Sequence, residues 1–258
     1  MLPQSAPRAL SILLSAFFIS PANAIVNIEE MRPPQQEDGW RGNVTLAISG
    51  DAGNTERSDF TASGQLFWQQ AHVTRLIATS YSYGENSRNR NTNKGFIHLR
   101  HISQQTANIA FELFTQTTRN EFSRLSLRAL VGGGARITLL KNRSDAIYLG
   151  TAIFYLSETL EPRPTLTDDG TEKFWRGNFY LALRYQINEQ MHATSTTYYQ
   201  PALANGNDYR ILEEGNLRVR LANQLDLKLS IEITHDSEPP QSVKPTDFSY
   251  KTGVEYRF

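Results

Sequence analysis

From Trp40 to Phe258, apolar and polar side chains alternate with a period of two in twelve separate stretches. Successive side chains of a β-strand point to opposite faces, so each stretch has one apolar and one polar side. The last stretch is the plainest. Phe248, Tyr250, Val254, Tyr256 and Phe258 share one face, with Thr252 among them, and Ser249, Lys251, Glu255 and Arg257 share the other. No apolar run after the first residues approaches the ~20 residues that a membrane-spanning helix needs. Any structure crossing a membrane must therefore be a closed barrel, because an open sheet would leave backbone groups unpaired in lipid.

The twelve predicted strands lie near 40–49, 57–69, 73–83, 94–102, 108–117, 122–139, 146–158, 174–187, 191–200, 215–221, 225–234 and 248–258. The links 70–72, 103–106, 141–145, 188–190 and 222–224 are short. The links 85–93, 159–173, 201–214 and 237–245 are longer and rich in Asn, Gly, Asp and Pro, and 118–121 is a short member of that set. Short turns on one side, long loops on the other and an even strand count are the pattern of a bacterial outer-membrane barrel. A soluble β-sandwich has no reason to keep that two-sided asymmetry. Aromatic residues at strand ends (Trp40, Trp68, Tyr81, Tyr83, Tyr155, Trp175, Tyr256) suit the girdles at the two membrane interfaces. The expected fold is all-β, an antiparallel up-and-down transmembrane barrel, and the terminal phenylalanine resembles the closing-strand signal read by barrel-assembly machinery.

Residues 1–24 carry Arg8, an apolar run from Ala9 to Ile19 and the small-residue site Ala22-Asn23-Ala24, so a secretory signal cut before Ile25 is expected. Residues 25–39, with Pro33-Pro34, read as a periplasmic lead-in. The chain holds no cysteine, which excludes disulfides, thiolate metal sites, a cysteine nucleophile and a lipoprotein anchor. Its 26 basic and 26 acidic residues balance, leaving no electrostatic footprint for nucleic acid. A mean hydropathy of −0.46 is expected where only alternate residues meet lipid.

The opening Trp40-Arg41-Gly42, then Gly50 and Gly53-Asn54-Thr55, is similar to the start of the bacterial family known as domain of unknown function 481. Asp236, Ser237, Pro239-Pro240, Lys244, Thr246-Asp247 and the closing Tyr256-Arg257-Phe258 resemble that family's last loop and strand. Its members are often labelled salt-induced outer-membrane proteins. The resemblance implies an outer-membrane barrel and carries no established catalytic residues or substrate.

Local motifs give little chemistry. Gly132-Gly133-Gly134 is followed by strand rather than by the helix a phosphate cradle needs, so close strand packing is the expected reason for it. His98 and His101, three apart on a strand, point to opposite faces and cannot share a metal ion. His235-Asp236-Ser237 contains the residue types of a hydrolase triad, but adjacency in sequence is not triad geometry. No cofactor is expected.

The polar face is more informative. Parity places Arg41, His98, Arg100, Arg124, Arg128, Arg184, Arg218, Arg220, Lys228, Lys251 and Arg257 inside the barrel, with Glu112, Glu232 and Glu255 among them. These side chains either close into an ion-pair network that fills the lumen or line a narrow pore favouring anions. The length of arginine side chains favours the network. The expectation is a monomeric barrel in contact with outer-membrane lipids, serving envelope integrity under salt or osmotic stress or acting as a narrow channel. The alternatives are a lipid hydrolase and an adhesin acting through its long loops.

Overall fold

A computed structural model describes residues 38–51, 57–168 and 170–258. The signal, most of the lead-in and the Gly53-Asn54-Thr55 motif lie outside the described residues. Twelve strands form one closed antiparallel barrel in which sequence neighbours pair throughout. They are β1 (Gly39–Asp51), β2 (Arg57–Gln70), β3 (Val73–Asn86), β4 (Asn89–Gln104), β5 (Ile109–Asn120) and β6 (Leu125–Lys141). The second half is β7 (Ala146–Leu160), β8 (Gly170–Gln186), β9 (Met191–Pro201), β10 (Tyr209–Ala222), β11 (Leu225–Asp236) and β12 (Thr246–Arg257).

Closure occurs between β12 and β1. The pairs run from Asn43↔Arg257 to Leu46↔Val254. Gly42 and Phe258 extend this seam by exchanging backbone hydrogen bonds, each 3.1 Å. Gly42 is where the Phe258 ring packs, and a Cβ there would stand 2.6 Å from its Cζ.

The outer wall is apolar. Leu113 is 64% exposed and Val131 58%, values that a water-soluble surface of this extent would not tolerate but a hydrocarbon solvent requires. Aromatic pairs sit among these outward residues, with Tyr155–Trp175 at 5.2 Å and Tyr199–Tyr209 at 5.8 Å.

Several segments depart from the expected boundaries, β8 among them, which begins at Gly170 rather than 174. Residues 85–93 form no long loop: β3 and β4 run on to a two-residue turn whose Ser87 and Arg88 both take positive φ (50° and 65°), the geometry that suits a twisted hairpin. The turn contains no glycine and is polar on both sides, which disguises it as loop. β10 begins at Tyr209 rather than 215, so Arg210 belongs to the wall. The stretch before β6 is a 3-10 turn, Glu121–Ser123, capped by the Asn120 side chain, which accepts from the Phe122 amide at 3.2 Å. Arg124 follows it in the left-handed region (φ 55°), and a bulge between Leu125 and Leu127 resets the alternation before Arg128.

The Gly132–Gly134 run lies in β6 against β5 and β7. A Cβ on Gly134 would overlap the Thr151 carbonyl oxygen and Ala152 Cβ, while one on Gly132 would stand 2.5 Å from Phe154 Cβ. The expected close packing is therefore the reason for these glycines.

Candidate functional site: the barrel interior

Strands of 11 to 17 residues alternating in this way place about every second side chain in the lumen, and the lumen is largely filled. Part of the filling is apolar, which the polar-face reading missed. Ala146, Tyr148, Tyr180, Ala182, Tyr198 and Leu212 form one buried cluster. Phe67, Leu76, Ala78, Ile102 and Ala110 form a second. Phe114, Leu130, Phe154 and Leu156 form a third. The signal for it was the nearly unbroken apolar run of β7, from Ala146 to Leu156, which reads as a strand buried on both faces. Beside the second cluster the wall carries small polar groups. Thr45, Thr61, Ser63, Ser80, Ser230 and Ser249 border a chamber of about 120 Å³.

Charged groups cross the interior in layers. At the loop end Arg128 Nε donates to Glu158 Oε2 at 2.7 Å, and Arg210 Nη1 donates to the same oxygen at 3.1 Å. Arg210 Nε also donates to Asp236 Oδ2 at 2.7 Å. Glu158 is on β7 and Arg210 on β10, with β8 and β9 between them in the wall, so this contact is a chord through the lumen over a quarter of the ring rather than one that follows the sheet. Arg176 grips both carboxylate oxygens of Asp208, at 2.6 and 2.7 Å.

Above that layer Arg124, 1% exposed, does not lie on a strand as parity implied. The turn before β6 aims it across the mouth, where Nη1 donates to Asp168 Oδ1 at 2.6 Å and to the Gln241 carbonyl at 3.0 Å. The Gln241 amide in turn donates to Asp168 Oδ2 at 2.6 Å. The β7–β8 and β11–β12 loops, whose strands lie on well-separated parts of the wall, are thus joined over the opening. Partial burial opposes charge on Asp168, but the hydrogen bond from Arg124, with that from Gln241, outweighs it and holds the carboxyl below the ordinary aspartate range.

A depressed folded-state value means that the bridge is intact above the ordinary aspartate range and is lost as pH falls through the lowered value. The Gln241 amide resonance is therefore expected to titrate below pH ~3.9, the reference aspartate value. Asp168→Asn is expected to speed exchange of that amide several-fold at neutral pH. A resonance that titrates at or above the ordinary value contradicts the assignment.

Toward the turn end, Glu112 collects three groups. Arg100 Nη1 donates to it at 3.1 Å, Tyr180 Oη donates at 3.2 Å, and Arg136 Nη1 lies 3.8 Å away. His98, fully buried, accepts from Arg100 Nε at its Nε2 (3.2 Å), so its Nδ1 proton goes to Gln116 Oε1 at 3.0 Å. Glu255 accepts from Asn43 Nδ2 at 2.7 Å and stands 2.7 Å from Arg218 Nε. Below it Asp226 meets Arg257 Nε at 2.6 Å. Arg41, Arg184 and Arg220 line the same turn-end cavity as Arg218 and Arg257. Lys228, Glu232 and Lys251 line the polar chamber.

His235, Asp236 and Ser237 do not converge. His235 Nδ1 is 2.8 Å from Thr246 Oγ1, Asp236 serves Arg210, and Ser237 Oγ donates to the Asn207 carbonyl at 2.9 Å.

A closed twelve-stranded wall with an apolar exterior and a polar, ion-paired interior defines an outer-membrane-type β-barrel. The sequence profile of the family described as "Protein of unknown function, DUF481" matches residues 44–258, and the chain belongs to that family. No curated protein sequence matches it. Among solved structures it is similar to the NanC porin, with a TM-score of 0.50 at 11% identity over 84% of this chain and 100% of that one. The KdgM porin gives 0.43 at 11% identity over 85% and 99%. The translocator domain of autotransporter NalP from Neisseria meningitidis gives 0.47 at 13% identity over 86% and 89%. At these identities the likeness is one of fold.

Proposed function

We propose that this chain is a closed structural barrel of the bacterial outer membrane, exported by the signal at residues 1–24 and oriented with its turn end in the periplasm. Outer-membrane lipids cover its apolar exterior, the strand ending at Phe258 is what the assembly machinery reads, and the barrel works as a monomer. Its contribution is to envelope integrity, with neither catalysis nor a cofactor. The observation that carries this reading is the Arg128–Glu158–Arg210–Asp236 chain, which links β6 and β7 to β10 and β11 through the lumen and lies beneath the Arg124–Asp168–Gln241 bridge. Buried ion pairs at this level take up lumen cross-section that a conducting water column needs.

Liposomes carrying the purified protein are expected to swell in an isosmotic pentose solution no faster than protein-free liposomes. Swelling at general-porin rates overturns the reading. A narrow channel is the second reading, favoured by one observation. The turn-end cavity and the polar chamber are separated by little more than the Asn43–Glu255–Arg218 layer, since their linings meet at Asn43 and Thr45 and at Asp226 and Lys228.

A further inference from the structure

Around much of the turn end the outward positions are apolar or aromatic, among them Ile109, Leu139, Tyr185, Leu221 and Tyr256. One arc differs. The register sets Trp40 of β1 opposite Trp68 of β2, Trp68 opposite Arg75 of β3, and Arg75 opposite His101 of β4. Directly opposed residues share a face, with Cβ atoms about 4.5–5.5 Å apart, so the four side chains form one row on the outside of the wall. The Arg75 guanidinium carbon stands 4.8 Å from the Trp68 ring centroid. Arg100, Arg128 and Arg176 in the lumen each meet a carboxylate, whereas Arg75 has no ion-pair partner among the described residues. Asp38, the carboxylate beside the β2–β3 turn, accepts from the Ala71 amide at 2.8 Å.

We propose that this row is a binding site for the headgroup of an anionic phospholipid in the turn-end leaflet. A cation held against a ring face keeps its N–H donors for another acceptor, and the guanidinium fork matches two phosphate oxygens at once. Tryptophan suits this level because its ring is at home where hydrocarbon meets headgroup. One row further into the membrane, Leu66 opposes Ile77 and Ile77 opposes Leu99. Ile77 is 49% exposed and Leu99 43%, which gives the acyl chains an apolar surface directly below the cation. The site is an open face rather than a cavity, so a free phosphate would gain none of that chain contact, and the occupant is a membrane lipid. The row holds no carboxylate to receive an ammonium group, which favours a headgroup without a cation of its own. The proposal rests on the reading of the exterior as lipid-covered, and names the lipid and the residues that select it.

Trp40 and Trp68 are built-in reporters, since in a Trp175→Phe background they are the tryptophans that remain. Lipids brominated on their acyl chains quench tryptophan fluorescence on contact. The full chain is refolded into phosphatidylcholine vesicles containing a rising fraction of brominated phosphatidylglycerol or of brominated phosphatidylcholine. Brominated phosphatidylglycerol is expected to bind about fivefold more strongly relative to its partner, the scale of one cation at an anionic membrane surface. Arg75→Gln is expected to remove that preference, and the ratio cancels any change in the brightness of Trp68 itself. Arg143→Gln, on the β6–β7 turn, removes a charge from the same end of the barrel away from the row and is expected to leave the preference intact. Equal quenching of the parent by the two lipids overturns the site and leaves the membrane barrel standing. A preference that folded Arg75→Gln keeps, or that Arg143→Gln also abolishes, overturns the site as well. Absence of quenching by either lipid overturns the lipid-covered exterior and the site with it.

Discussion

Replacing Glu158 with alanine is expected to cost about 3–5 kcal/mol of unfolding free energy, among the largest effects available to a single substitution in this barrel. The carboxylate takes hydrogen bonds from Arg128 and Arg210, and all three side chains are buried or nearly so. Its removal leaves two guanidinium groups facing each other with Asp236 alone to offset them. The cost comes from stranding those charges, not from losing an attraction of that size. Glu158→Ala combined with Arg128→Met, Arg210→Met and Asp236→Asn is therefore expected to recover most of the loss, because apolar or neutral replacement of a whole buried ion-pair set, Asp236 included, is often neutral or better. Denaturant titration of the protein refolded in lipid vesicles measures both variants. A loss below about 1 kcal/mol for Glu158→Ala places the cluster among exposed pairs and contradicts the geometry.

Gly134→Val is expected to prevent normal assembly of the β6–β7 wall. The added carbons would occupy the space of the Thr151 carbonyl and Ala152 Cβ, which belong to the neighbouring strand and cannot rotate away. Overpacking a well-packed core costs about 1–3 kcal/mol when side chains can yield, and more when backbone is in the way. Gly133→Ala is the milder control, since its nearest neighbour is Leu113 Cδ2 at 2.8 Å, on a flexible side chain facing outward. Heat-resistant compact migration in cold detergent gels reports the folded fraction of each variant. Folding of Gly134→Val at the level of the parent would contradict the packing argument.

The wall was legible in the sequence because lipid and lumen impose opposite polarity on adjacent residues. The strict alternation of Leu225, Leu227, Leu229, Ile231 and Ile233 against Lys228, Ser230 and Glu232 could come from little else. The closing pair was legible too, and Phe258 meets β1 at Gly42. Parity assigns a face and says nothing about which inward groups meet. Glu158 and Arg210 pair through the curvature of a closed wall, which depends on strand number and stagger that no local pattern encodes. Arg210 was also hidden by its setting among Asn207, Asp208 and Tyr209, which read as loop. Arg124 was placed on a strand because one bulge at Leu125–Leu127 reverses parity without a glycine to mark it. The inward aromatics of β7 and β8 escaped because an apolar residue on a lumen face breaks the expected alternation instead of announcing a site.

Single-channel recording in planar bilayers tests the closed lumen most directly. The intact barrel, inserted in 1 M potassium chloride, is expected to give no current steps above the bare membrane, because buried ion pairs are screened far less than exposed ones. Long-lived, uniform conductance steps from the same preparation would show a continuous water path past Glu158 and Arg210, and would contradict the account.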